Sequence, residues 1–225
     1  MIKSSTQVKA LIKNKAKGNS NKAQMLLRVY VMERFLERIS LSEYRDNFIL
    51  KGGLLVSSLV GVDFFFVEGT LDKLRQSIKI DLSTGDEITP SAIEYQFPLM
   101  LEKRTIPIMA YNLETLLAEK LETIMVRAET NTRMRDFYDI HVIFDGYKQE
   151  LNPKNMSEAF MKTCKKRGSE KYINELDSIL EVIANNDFMA SAWERYRVEN
   201  FYVEDLDWLT VNKSARKLKD FFIFE

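Results

Sequence analysis

The sequence is short of the residues that carry most metal, redox and covalent chemistry. It has one cysteine, Cys164, and one histidine, His141, in 225 residues. A lone cysteine excludes an internal disulfide, and one cysteine with one histidine excludes a zinc finger. Cys164 is expected to be a reduced thiol on a helix. No apolar run approaches 18 residues, which excludes a transmembrane helix. The opening MIKSSTQVKALIKNKAKG has no apolar core of the kind a secretion signal needs, so a cytoplasmic protein is expected. There is no net charge, with 33 basic and 33 acidic side chains. Prolines number four, and three of them, Pro90, Pro98 and Pro107, fall in one stretch. No internal repeat, low-complexity tract or GxxxxGK[ST] phosphate loop is present.

What is present is a globular composition, 45% hydrophobic and 29% charged. A chain of this size buries roughly 70% of its unfolded surface on folding. Electroneutrality hides an asymmetry. Lys3, Lys9, Lys13, Lys15, Lys17, Lys22 and Arg28 precede any acid. Such an arm reads either as a frayed, solvated terminus or as a phosphate-holding surface. Apolar spacing of four and three predicts a helix over 21–39. A short strand is expected from Phe48 to Lys51, a glycine break at Gly52-Gly53, and an apolar helix from Leu54 to Val60. Strands are expected over 64–67, 77–83, 93–100 and 105–110, and helices over 113–128, 133–145, 155–166, 170–185 and around Trp193 and Trp208. The fold class is therefore α+β: a small mixed-sheet domain, 1–145, followed by a C-terminal helical domain, 146–225.

Three segments break their own polarity pattern. In SIKIDLS, 77–83, alternation puts Ile78, Ile80 and Leu82 on one face, and Lys79, Asp81 and Ser83 on the other. That is either a solvated ion pair or a metal carboxylate beside a phosphate-facing lysine. In the helix opened by Asn112, Lys120 falls roughly 20° from Leu113 and about 40° from Ile124 on the helical wheel, in the middle of the apolar face. Glu114, Glu119 and Glu122 lie off it. Such a lysine must snorkel, pair with a buried carboxylate, or serve a site. In RMRDFYDIHVIF, 133–144, Asp136 shares a stripe with Ile140 and Ile143. It is expected to be partly buried, with Arg133 or Lys120 as partner. Asp139 lies further round, and His141 is expected to be a hydrogen-bonded core histidine. Lys51-Gly52-Gly53 adds a turn in which a phosphate could approach backbone amides.

Together, FILKGGLLVSSLVGVD, IKIDLSTGD, YNLETLLAEKLETI and NTRMRDFYDI, in that order, resemble the nucleotidyltransferase AbiEii/AbiGii toxin family. The resemblance covers about residues 21–145 and fades beyond. It implies a DNA polymerase β-like nucleotidyltransferase fold acting in bacterial abortive-infection and toxin–antitoxin systems. Carried over by position, Lys51, Gly52 and Gly53 match the glycine turn that grips the triphosphate. Lys79 and Asp81 match the lysine–x–aspartate strand, with Asp81 as a metal carboxylate and catalytic residue. Lys120 matches the helix lysine that meets phosphates, and Asp136 and Asp139 match the arginine–aspartate motif that completes the site. The implied cofactor is Mg2+. The implied partners are a nucleoside triphosphate, an RNA acceptor (a transfer RNA end in particular) and a cognate antitoxin protein.

One departure stands out. The family carries a paired Asp-x-Asp after the glycine turn. Here Asp63 is followed by Phe64, Phe65 and Phe66, with Phe65 at the partner position. Strand, helix and further strand look deleted between Asp63 and Phe64. Two readings follow: a nucleotidyltransferase toxin, or an inactive chain that keeps the fold as a protein- or RNA-binding module. For the second, Tyr95, Phe97, Trp193, Tyr196 and Trp208 would offer aromatic surface.

Overall fold

The computed structural model describes residues 4–60, 69–71, 74–76, 82–203 and 205–223. The strand expected over 64–67, most of that expected over 77–83, and with them Asp63, Lys79 and Asp81, lie outside these residues. The chain is α+β, as expected, and divides into two compact units. One comprises Met1–Thr84 and Ala92–Tyr111, and the other Gly85–Ser91 and Asn112–Glu225. The units part at 111–112, where strand patterning gives way to helical patterning. The boundary read at 145–146 falls inside a helix of the second unit.

The first unit opens with α1 (Ser5–Ala16), capped by the Ser4 side chain, which accepts from the Gln7 amide at 3.2 Å. Over Ser5–Ala16 the basic arm is thus a helix, not a frayed terminus. Val8, Ile12 and Ala16 recur every fourth residue and pack on Leu26 and Tyr30 of α2 (Ser20–Ser40). Three modest apolar positions among lysines make a faint periodic signal, which tertiary packing completes. Further along α2, Met32 and Leu36 join Leu54 of α3 (Gly52–Val60) and Phe97, Leu99, Ile106 and Ile108 in a second cluster.

Those last residues belong to a three-stranded mixed sheet and its turn. β1 (Ile49–Leu50) and α3 are followed by a short antiparallel pair, β2 (Gly69–Leu71) and β3 (Leu74–Gln76). β4 (Ile93–Pro98) and β5 (Thr105–Ala110) then form a hairpin, from Ile93 opposite Ala110 to Pro98 opposite Thr105. β1 lies parallel to β5, with Ile49 opposite Met109, giving the order β1-β5-β4. In β5, TIPIMA alternates so that Ile106, Ile108 and Ala110 are buried. Among the described residues β1 pairs only with Met109 and Ala110, so a missing donor at Pro107 is tolerated.

The second unit is helical: α4 (Leu113–Arg127), α5 (Met134–Tyr147), α6 (Pro153–Arg167), α7 (Leu176–Ala184), α8 (Asp187–Glu199) and α9 (Trp208–Asp220). The helix expected over 170–185 is broken, with a 3-10 turn over Glu170–Glu175 before α7. α4 is packed by α5, α6 and α7. Its start is fixed twice: the Asn112 side chain accepts from the Thr115 amide at 2.8 Å and donates to the carbonyls of Thr89 and Ser91. The aromatic-surface expectation fails for most of its residues. Phe97 and Trp193 are fully buried, and Trp208 packs against Phe137 and Trp193. Tyr95 and Tyr196 are half-buried. Rings this large contribute more by burial than by exposure.

Candidate active site

In the first unit the sequence-predicted glycine turn joins β1 to α3. Gly52 has φ +67, a backbone conformation that favours glycine, and nothing lies within 4 Å of where a Cβ would stand. Gly52 and Gly53 form the first turn of α3, where backbone amides point out of the helix end. The Lys51 ammonium lies 5.5 Å from the centroid of the Tyr111 ring.

In the second unit the structure brings Lys120, Asp136 and Asp139 together. The Lys120 Nζ on α4 donates to Asp136 Oδ1 on α5 at 3.2 Å and to Asp139 Oδ2. All three are buried, at 7%, 2% and 0% exposure. The anomalous lysine therefore does not snorkel. It spans two carboxylates one helical turn apart. The outer oxygens face arginines: Arg133 Nε lies 3.0 Å from Asp136 Oδ2, and Arg135 Nε lies 3.5 Å from Asp139 Oδ1. The charges alternate along a chain, Arg133, Asp136, Lys120, Asp139, Arg135. Asp136 thus meets both partners expected of it. Just before α5, the Asn131 side chain accepts from the Arg133 amide at 2.8 Å.

Sequence reasoning missed the lining of this chain of charges. Tyr138, Tyr196 and Tyr202 surround its Arg135–Asp139 end. The Tyr196 and Tyr202 hydroxyls are 2.5 Å apart, and the Tyr138 and Tyr202 rings meet edge-on at 4.9 Å. Burial is the main cause that pushes the Tyr138 hydroxyl up to about 12. It raises Tyr196 and Tyr202 as well, Asp139 adding to the effect and Arg135 opposing it. All three hydroxyls stay protonated near neutrality. Tyr138 adjoins the aspartate motif and could have been noticed. Tyr196 and Tyr202 lie about sixty residues on, and no spacing rule connects them.

α4 also corrects the picture of its glutamates. They lie off the apolar face but are not solvated: Glu114 and Glu122 are buried. Glu114 accepts from the Asn152 amide at 3.0 Å. Glu122 accepts from Arg167 at 2.6 Å and from the Ser169 hydroxyl at 2.8 Å. α4 is an internal helix with two polar seams, each matched by a neighbour.

His141 is half-buried, its Nδ1 2.8 Å from the Ser214 Oγ and 3.4 Å from an Asp145 oxygen. Both partners approach the same ring nitrogen, so this is not a relay of the Ser-His-Asp kind. Cys164 is buried on α6, and burial pushes its thiol up to about 11, which makes it unreactive.

The described residues do not fit a divalent metal. No group of three or more His, Cys, Asp or Glu side chains among them is arranged to hold one. The carboxylates of Asp136 and Asp139 already face a lysine and two arginines, and a second cation there would meet like charge. No described helix is long and apolar enough to cross a membrane.

No curated protein and no solved structure matches the chain. A family profile does: the nucleotidyl transferase AbiEii toxin of the type IV toxin–antitoxin system, over residues 60–218. The matched span begins after Lys51–Gly53 and reaches into α9, through the helices where the sequence resemblance fades. Lys120, Asp136, Asp139 and the three tyrosines all lie within it. With about 70% of its residues matched, this chain belongs to the AbiEii nucleotidyl transferase toxin family.

Proposed function

We propose that the protein transfers a nucleoside monophosphate from a nucleoside triphosphate to an RNA hydroxyl, a transfer RNA end in particular. Family membership implies a nucleotide substrate and an antitoxin partner. The observation that carries the proposal is the buried Lys120–Asp136–Asp139 cluster, assembled from two motifs of the matched span. In the reaction, the acceptor oxygen attacks the α-phosphorus, the bond from that phosphorus to the bridging oxygen breaks, and pyrophosphate leaves as the hydroxyl proton is lost. Transfer of this type is governed by positioning and charge neutralisation.

The proposed division of labour follows burial. Lys51, Gly52 and Gly53 hold phosphates, with Lys79 as a second cation. Lys120 and Asp136 act at the catalytic centre. Asp139, fully buried, belongs to the nucleotide-binding set as a positioning residue that holds the Lys120 ammonium. The family typically uses a divalent metal, and Asp81 is the ligand proposed for magnesium here.

The test incubates the chain with each α-labelled nucleoside triphosphate, magnesium and total transfer RNA. Label is expected in RNA with at least one nucleotide, and Asp81→Asn is expected to weaken magnesium-dependent nucleotide binding. A folded chain that labels no acceptor with any nucleotide would favour the binding-module reading.

A further inference from the structure

α1 carries a surface that neither the fold nor the proposed chemistry uses. Its buried stripe is Val8, Ile12 and Ala16. One residue further round stand Lys9 and Lys13, and Lys17 caps the helix in left-handed backbone; all three are exposed. At 1.5 Å rise per residue, Lys13 stands about 6 Å along the helix from Lys9. Lys15 is exposed on the opposite flank. Among the described residues no carboxylate pairs with any of these four lysines, and the first acid in the sequence is Glu33. The lysines end beside the start of α2, whose first turn holds no acid either. A helix N-terminus adds partial positive charge there.

We infer that this face of α1 holds the phosphodiester backbone of a nucleic acid. The composition selects that partner over a protein. Protein interfaces concentrate aromatic residues, methionine and arginine, and are depleted of lysine. α1 exposes no large hydrophobic side chain; apart from lysine its exposed residues include Thr6, Gln7, Ala10 and Asn14. Lysine is a hydrated point charge on a flexible stem, suited to sequence-blind phosphate contact. The basic residues Lys162, Lys165, Lys166 and Arg167 at the end of α6 are less available. Arg167 turns inward to Glu119 and Glu122, and Lys162 pairs with Glu158 at 2.9 Å. RNA and DNA share the backbone chemistry. RNA is the source chosen, and in that choice alone the inference rests on the acceptor proposed above.

The experiment measures anisotropy of a labelled mixed-sequence RNA of about 24 nucleotides, and of the same DNA sequence, across about 50 to 300 mM salt. No triphosphate or magnesium is added, so binding is read apart from transfer. The full chain is compared with K9Q/K13Q/K17Q and with a charge-matched control, K162Q/K165Q/K166Q. Glutamine keeps the helix and the stem, and a thermal melt confirms each fold. For RNA, the α1 variant is expected to lose about tenfold or more in affinity at low salt, and its slope of log K against log salt to flatten by about 2. The control should stay near wild type. Parallel loss for DNA fits a backbone contact. Equal loss in both variants would reduce the effect to net charge and overturn the inference, as would an unchanged α1 variant or binding confined to DNA. Failure of the wild type to bind RNA would overturn it too, while label transfer, measured separately, would still decide the enzymatic reading.

Discussion

Two helices of this molecule carry lysine at a conspicuous place, and they use it in opposite ways. On α4, Lys120 is buried between two carboxylates. On α1 and its C-cap, Lys9, Lys13 and Lys17 stand exposed, with no carboxylate among the described residues against them. A lysine inside the protein has its protein partners fixed; a lysine outside is a charge held for something that arrives. The comparison breaks most easily at Lys120. Lys120→Met leaves Asp136 and Asp139 buried, with arginines on one side only. Removing one member of a buried ion cluster costs about 3–5 kcal/mol. Urea titration should show that loss, and K120M/D136N/D139N should recover much of it by removing the stranded charges. A K120M protein as stable as wild type would mean that the cluster does not hold α4 to α5. Burial also changes how an activity test at Lys120 must be read. From sequence alone Lys120→Ala is expected to abolish transfer with the fold intact; the structure predicts loss of stability as well. Lys120→Arg, which keeps the charge and alters its shape, is the cleaner probe of transfer.

Arg167 sharpens the contrast from the other seam of α4. It is partly exposed, yet its guanidinium serves the buried Glu122. Arg167→Met should cost about 1–3 kcal/mol, the penalty for a buried acceptor that loses a charged donor. Lys166→Met, one residue away and exposed, should change stability by no more than about 0.5 kcal/mol. Equal effects would erase the distinction between inward and outward cations on α6. His141 lies between the two cases, half-buried and titratable. Burial lowers its pKa from 6.5, with Lys217 adding to the shift and Asp145 opposing it. Below pH 6.5 the unfolded chain takes up a proton there that the folded chain resists. The stabilisation present above 6.5 is therefore lost as pH falls through the folded value. His141→Gln should lose less melting temperature than wild type between about pH 7.5 and 5.5. Superimposable pH profiles would remove His141 from the account.

Much of this was legible because periodicity reports burial. The β4–β5 hairpin and the helices α2, α4, α5 and α6 lie close to where apolar spacing put them, and Lys120 was conspicuous because it broke that spacing. Sequence could not identify its partners' final geometry, since Lys120 and Asp139 sit 19 residues apart on different helices. Nor could it foresee that Glu114 and Glu122 are internal. A glutamate opposite an apolar stripe looks solvated until a second helix, α6, covers it. α1 was missed because three small contacts give a weak period and the lysines between them dominate the composition. The sequence reads Tyr196 only as aromatic binding surface and Tyr202 as part of no site, because tertiary packing alone brings them to Arg135 and Asp139.

The smallest expected effect tests the outward half of the comparison. K9Q/K13Q/K17Q removes three charges from α1 and its C-cap and should leave folding stability within about 0.5 kcal/mol of wild type, because among the described residues no ion pair depends on them. Lys13 lies in the last turn, where a cation favours the helix dipole, so the small change should be a loss. Lys17 has φ +49, and glutamine takes that conformation at a cost similar to lysine. Stability and nucleic-acid affinity should thus separate in this variant. At Lys120 stability and transfer should fall together. A large stability loss in the α1 variant would mean that its lysines serve the fold after all, and the two helices would no longer differ in kind.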